Sequence, residues 1–229
     1  MNKYSLLLMT GVLVLAGAGC APNETPQDNS GPNDELEATL GITPEQTSDM
    51  NYRTNLALFE FTAPPITFPG VLRDEDRLNR QVTIKTNKGD VTLELFGDES
   101  PLAVSNFLVL ANTGFYDDVI FHRVIKGFMI QGGDPQGTGT GGPGYKFEDE
   151  LGHEYTQYPP GTLAMANSGP NTNGSQFFIM QGDVPLPNDY TIFGQVVDGQ
   201  DVVDAIADVA VNANDKPDDD VVISTIEIK

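Results

Sequence analysis

The chain has no tryptophan, one cysteine, two histidines and, in 229 residues, only 12 basic residues against 33 acidic ones. Each scarcity closes off a class of function. One cysteine can neither close an intramolecular disulfide nor supply a cysteine-rich zinc site. With His122 and His153 as the only histidines, a multi-histidine metal site is not expected, and no metal or cofactor is predicted. A formal charge of −21 repels phosphate backbones and anionic headgroups, which argues against nucleic-acid binding and against a basic peripheral membrane protein. No apolar run reaches the ~20 residues that a bilayer-spanning helix needs. The length suits one ordinary domain with appendages.

What is present begins with a short apolar run. Lys3 is followed by apolar residues over 6–15 and then by Ala16-Gly17-Ala18-Gly19-Cys20, the pattern of an export signal ending in small residues. Small residues directly before a cysteine resemble the lipobox of bacterial lipoproteins. That resemblance implies removal of residues 1–19 and lipidation of Cys20, although Gly17 stands where that family usually carries Leu or another aliphatic residue. An ordinary cleaved signal with an incidental cysteine is the alternative. The expected location is the cell envelope, outside the cytoplasm, with Cys20 as a lipid anchor.

Residues 20–50 scatter Pro22, Pro26, Pro32 and Pro44 among polar and acidic residues. This composition cannot bury enough surface to offset its ordering entropy, so a flexible acidic tether is predicted. Residues 51–80 carry Leu56, Leu58, Phe59 and Phe61 and then Ala63-Pro64-Pro65-Ile66-Thr67-Phe68-Pro69-Gly70. They are apolar enough to dock but too proline-rich for a helix or a central strand, so an irregular arm packed on the domain is expected. Phe68-Pro69-Gly70 or Ala63-Pro64 is a candidate to occupy the groove of its own or a neighbouring domain and moderate access; alternatively, the arm only covers the barrel surface.

The domain proper is placed at 81–229. Alternating apolar and polar residues over 82–86 and 91–95, joined by Asn87-Lys88-Gly89-Asp90, predict a hairpin. Ser100 as N-cap and Pro101 at the first helical position open a helix with Val104, Phe107, Leu108 and Ala111 on one face. Further strands are expected at 119–124, 127–132, 161–166, 175–181, 190–197 and 221–228, and a second helix at 199–209. Many short strands with few helices predict a mainly β fold, a closed barrel or sandwich. The glycine-rich run 132–144 lacks a phosphate-binding motif and reads as a mobile loop at a groove's edge. Residues 215–220 lack the spacing of a calcium loop and read as a solvated acidic turn.

The run Phe121-His122-Arg123-Val124-Ile125-Lys126-Gly127-Phe128-Met129-Ile130-Gln131-Gly132-Gly133-Asp134 resembles the signature of cyclophilins, a class of peptidyl-prolyl cis/trans isomerases. Gly161-Thr162-Leu163-Ala164-Met165-Ala166-Asn167, Asn173-Gly174-Ser175-Gln176-Phe177-Phe178-Ile179 and Thr191-Ile192-Phe193-Gly194 follow in the family's order. The resemblance covers residues 81–229. It implies a closed antiparallel eight-stranded barrel capped by two helices, and isomerase activity on X–Pro bonds of other exported proteins. A non-catalytic proline-peptide-binding chaperone or assembly factor of the same fold is the alternative. A monomer is expected.

Arg123 is the expected catalytic group. It is the only arginine in residues 81–229, a segment with 22 acidic and 7 basic residues; the competing reading is a structural ion-pair arginine. By resemblance, Phe128, Met129, Phe178, Leu186 and Tyr190 line an apolar cup for the proline ring, with Phe193 behind it. Gln131 and the backbones of Ala166 and Asn167 hold the peptide's amides, with Gln176 nearby. Taken singly, the aromatic and Met residues read as ordinary barrel core. Gln131 and Gln176, polar within apolar strands, need partners if buried and so are expected to face a groove. The chain departs from the family over 182–190: the usual tryptophan is missing, Pro185 takes its position, and Tyr190 replaces a histidine. Weak inhibition by cyclosporin is therefore expected.

Overall fold

In a computed structural model, which describes residues 66–152 and 156–229, the alternation over 82–95 becomes a hairpin of β1 (Gln81–Thr86) and β2 (Gly89–Leu95). Thr86 pairs with Gly89 across the turn, and the Thr86 hydroxyl both donates to Gly89 O at 2.7 Å and accepts from Lys88 N at 3.0 Å. Strand β2 buries Val91, Leu93 and Leu95 and turns the residues between them outward, as a half-buried strand with a period of two must. Cys20, the proposed signal and tether, and residues 51–65 of the arm lie outside the described residues, as does His153.

The chain continues through α2 (Pro101–Asn112), β3 (Arg123–Ile125), β4 (Met129–Gly132), β5 (Thr162–Met165), β6 (Phe177–Met180), β7 (Ile192–Asp198), α3 (Gln200–Ala207) and β8 (Ile223–Ile228). A short helix, α1 (Asp74–Arg77), precedes the hairpin. All pairings are antiparallel, in the order β3-β4-β6-β5-β7-β2-β1-β8.

The closed barrel is corrected. The ladder is an open, eight-stranded half-barrel whose edge strands, β3 and β8, do not pair with each other. The chain just before β3 bonds to the start of β8 and to the residues that precede it: Phe121 N–H donates to Val221 O at 2.9 Å and Ile223 N–H to Val119 O at 2.8 Å. This is where the predicted strand over 119–124 went. Only Arg123 and Val124 of it enter β3, and the preceding residues make isolated bonds to the start of the last strand.

Helix α2 begins where predicted, but Ser100 does not cap it. Its hydroxyl donates to Ile192 O at 2.6 Å. The orphan N–H groups of the first turn are met by a residue from a distant loop: Leu102 and Ala103 donate to the two carboxylate oxygens of Glu150 at 2.8 and 2.9 Å, a negative charge where the helix dipole favours one. The helix is also buried on more than the single predicted face, since Ala103, Ser105, Asn106 and Leu110 are buried too.

The main core centres on Phe107 of α2, with the rings of Tyr116, Phe193 and Phe177 at 5.1, 5.4 and 5.5 Å. A second, smaller cluster holds Met129, Tyr158, Ala164, Phe178, Met180 and Ile192. Strand alternation separates the two. Along β6, Phe177 and Ile179 enter the main core, while Phe178 and Met180 enter the second cluster.

Candidate functional site

The pairing register of four strands lays one row of side chains across the sheet. Arg123 of β3 is opposite Gln131 of β4, Gln131 opposite Phe178 of β6, and Phe178 opposite Ala164 of β5. Directly paired residues point to the same face. A cation, an amide and an apolar floor, drawn from positions up to 55 apart in the chain, are thereby set side by side. A one-residue slip of β3 against β4 would bring Val124 to that face and send Arg123 into the core.

A groove of about 340 Å³ lies over this row. Of the predicted binding residues, Phe128, Met129, Gln131, Ala166, Asn167, Phe178, Leu186 and Tyr190 line it together with Arg123. A larger chamber of about 770 Å³ shares Gln131, Gly139, Ala166 and Asn167 with the groove and so continues it. Gln176 lines this second chamber. Phe193 stands apart from both: it is fully buried in the main core, where it meets Phe107. Pro185, the substitute for the absent tryptophan, is exposed and does not line the groove.

Arg123 is a little less than half exposed, with Nη1 at 3.5 Å from Gln131 Oε1 and Nε at 3.9 Å from Asp215 Oδ2. Gln131 Nε2 donates to Gln176 Oε1 at 3.0 Å, and Gln176 Nε2 donates to the carbonyls of Gly139 and Gly141 at 3.0 and 2.9 Å. The two glutamines therefore form a relay that connects the guanidinium to the glycine-rich loop. Ala166 N–H is bonded inward to Gln176 O at 3.0 Å. What Ala166 offers a ligand is its carbonyl, not its N–H.

The glycine-rich run lies at the groove's edge, as expected, but it is anchored and not a loose loop. Asp134, fully buried, accepts backbone N–H bonds from Gly139, Gln136, Thr138 and Gly141 at 2.6, 2.7, 3.0 and 3.1 Å. Burial by itself would raise its pKa, but the bonds from Gln136, Gly141, Thr138 and Gly139 outweigh it and hold the carboxyl below the usual range. Any Cβ at Gly141 would overlap the Asp134 carboxylate, and one at Gly133, where φ is +84°, would overlap Ser175 O. Glycine serves here because the chain must pass close to an anchor.

The opposite wall is built differently. Tyr158, buried, donates its hydroxyl proton to Tyr190 O at 2.9 Å and accepts from Tyr190 N–H at 3.2 Å. The Tyr190 ring stands edge-on to Phe178 at 5.5 Å, and Asn167 Nδ2 donates to Asp189 O at 2.8 Å. Burial pushes the Tyr158 phenol up from its ordinary value.

Sequence reasoning placed the run with Thr138 and Gly139 at the groove's edge but named no lining residue in it, and it missed His122 and Asn214 in the lining and the roles of Asp134 and Tyr158 behind it. His122 is buried, and among the described residues its Nδ1 has no hydrogen-bond partner. Burial lowers its pKa, against the pull of Asp134 and with the push of Arg123 and Lys216, which favours the neutral imidazole. The signal that could have found Asp134 was a lone acid among glycines, each of which leaves an N–H unobstructed.

Comparison with known proteins matches this architecture to the family model described as "Cyclophilin type peptidyl-prolyl cis-trans isomerase/CLD" over residues 81–228. A "Probable peptidyl-prolyl cis-trans isomerase A" of Mycobacterium leprae is 51% identical over 168 residues, covering 66% of this chain and 92% of the relative. The "Peptidyl-prolyl cis-trans isomerase CYP18-1" of Arabidopsis thaliana is 52% identical over 140 residues, covering 59% and 88%. A crystal structure of a Cryptosporidium parvum cyclophilin-type isomerase superposes with a TM-score of 0.63 at 44% identity, covering 66% of this chain and 97% of that one. The same parasite protein was also crystallised in the presence of the dipeptide Ala-Pro, with a TM-score of 0.63, 44% identity, and coverage of 65% and 98%.

Proposed function

Since the chain belongs to the cyclophilin-type peptidyl-prolyl cis-trans isomerase family, we propose that its groove rotates X–Pro bonds in extended segments of exported proteins, with Arg123 as the group that lowers the barrier. An amide resists rotation by about 18–20 kcal/mol because the nitrogen lone pair is delocalised into the carbonyl. In the twisted state that lone pair is localised and can accept a hydrogen bond. A guanidinium is permanently charged and offers donors in a rigid fork, so it binds the twisted amide better than the planar one. Each ~1.4 kcal/mol of that preference is worth tenfold in rate. No nucleophile or general base enters the reaction.

The observation that carries this reading is the cross-strand row, which sets Arg123 beside an apolar floor with Gln131 between them. Met129 and Phe178 suit a pyrrolidine ring, and an apolar wall favours the twisted amide, which has lost much of its resonance dipole, over the planar one. Gln131 and Asp215 bracket the guanidinium and limit the orientations that it can take. The parasite relative crystallised with Ala-Pro supports proline-containing peptides as the ligand class.

The test is Arg123→Ala followed in a proline-limited refolding reaction. The expected result is a loss of about 100-fold in kcat/KM with peptide binding retained. If the wild-type chain never accelerates the slow phase, the groove is a peptide holder. We further read the protein as an envelope lipoprotein, on the support of the apolar run, the small residues and Cys20. The mass of the mature N-terminal peptide checks this: a diacyl- or triacylglyceryl-cysteine is expected at Cys20, and an unmodified cysteine would refute the anchor.

A further inference from the structure

The segment Gly141-Gly142-Pro143-Gly144 forms one side of the larger chamber, and with three glycines in four residues it has little stiffness of its own. Its position is therefore set by whatever holds its two ends. At the near end the anchor is Asp134, which takes the Gly141 N–H. At the far end are Tyr145 and Phe147, and part of what holds them comes from outside the family domain.

Phe68, in the arm that precedes the family match at 81–228, stacks on Phe147 with ring centroids 5.0 Å apart and planes 14° from parallel. It also meets Tyr145 at 5.6 Å. The arm is fixed in turn by Leu72 N–H, which donates to the buried Ser105 hydroxyl of α2 at 2.8 Å. On the next residue of α2, the two ends of the Asn106 amide reach the chamber: Oδ1 accepts from the Tyr145 hydroxyl at 2.7 Å and Nδ2 donates to Gly174 O at 2.9 Å. Tyr145 and Gly174 both line the chamber. Phe147 N–H closes the frame on Asn173 O at 3.0 Å.

We propose that the arm is a specificity element: Phe68 positions the wall of the larger chamber, and so sets how well the isomerase takes a peptide that extends beyond the X–Pro unit. This rests on the groove beside Arg123 being the isomerase site. An extended peptide with its proline over Phe178 passes the shared residues Gln131, Ala166 and Asn167 and enters the chamber. The two residues of a blocked X–Pro dipeptide stay in the groove. The expected occupant of the groove is thus the client, and not the arm itself. Phe68 is engaged with Phe147 and Tyr145, which corrects the expectation that Phe68-Pro69-Gly70 enters the groove; Ala63-Pro64 lies outside the described residues.

The experiment compares full-length wild type, Phe68→Ala and Phe68→Tyr on two substrates, a blocked X–Pro dipeptide and a hexapeptide with the same X–Pro unit at its centre, with isomerisation followed by NMR exchange. Phe68→Ala should raise KM for the hexapeptide about fivefold, leave its kcat within about twofold, and leave both constants for the dipeptide within about twofold. Phe68→Tyr, which keeps the stacked ring, should restore the wild-type KM. Equal changes for the two substrates, or none, would overturn the proposal, as would a fall in kcat alone. Should Phe68→Ala fail to fold, Ser105→Ala, which removes the hydrogen bond that holds the arm at Leu72, decides by the same length dependence at about twofold. A hexapeptide KM unmoved in Ser105→Ala would also overturn it. Arg123→Ala measured alongside separates the two readings. If it stays fully active, the groove assignment fails, and the arm proposal with it; if it is inactive while Phe68→Ala shows no length dependence, only the arm proposal fails.

Discussion

The two walls of the groove do the same job by different physics. The glycine-rich wall at 136–141 is gathered around one buried charge, Asp134, through four backbone N–H bonds. The wall at 186–190 contains no such charge. It is held by the Tyr158 hydroxyl, the Tyr190 ring on Phe178 and the Asn167 amide on Asp189 O. A wall in which every second residue is glycine needs an anchor that acts on the backbone, whereas a wall with aromatic rings can be held by packing. The first should therefore respond to pH and to a single substitution. The second should yield in smaller steps.

Asp134→Ala should have the largest effect, because it leaves several N–H groups without their acceptor at once. We expect a stability loss of about 3 kcal/mol and a fall in kcat/KM of about tenfold or more, measured by urea unfolding and by refolding assay. The charge also makes this wall acid-sensitive. The folded pKa of Asp134 lies below its ordinary value, so its contribution is fully present above about pH 4 and is lost as pH falls through the lowered folded value. His122, whose folded pKa is also lowered, has the same sign at higher pH: stability declines as pH falls below about 6.5, where the unfolded chain takes up the proton first. Asp134→Asn should remove the lower of these two declines and keep the upper one. An acid limb unchanged from wild type would break the contrast between the walls.

Tyr158→Phe tests the other wall. It keeps the buried ring and deletes both bonds to Tyr190, so we expect about 1–2 kcal/mol of stability lost and KM raised about threefold with kcat nearly unchanged. A kcat loss as large as that of Asp134→Ala would show that the two walls are not distinct in kind. The smallest effect concerns cyclosporin. With Pro185 exposed and outside the lining, the drug should inhibit only weakly, and an IC50 in the low nanomolar range would overturn that expectation.

Much of this was legible in the order of residues. The hairpin, both long helices and all the later strands follow from periodicity and turn residues within short windows, and the strands β4 to β8 run within a residue or two of their expected bounds. The candidate site was legible through the four motif blocks and through Arg123 as the lone arginine of an acidic segment. What escaped was whatever depends on a partner far along the chain. Nothing near Ser100 says that Glu150 will cap its helix, and nothing near Tyr158 says that it will grip Tyr190. Phe193 has the same composition-level credentials as Phe178, yet its strand turns it into the main core.

The sequence by itself determined which segments could be strand, helix or turn, because those preferences are settled by neighbours a few residues away. It also determined that any catalytic cation in the domain had to come from a very short list. Only the tertiary structure decided which faces those segments share. Strand register placed Arg123 next to Gln131 and Gln131 next to Phe178, the sheet stayed open between β3 and β8, and the packing of the arm brought Phe68 onto Tyr145 and Phe147. The physical reason is that local preference acts through torsion angles and hydrogen bonds along the chain. A shared face exists only after distant segments have been closed into loops and their apolar surfaces buried together, and no window of the sequence contains both sides of that contact.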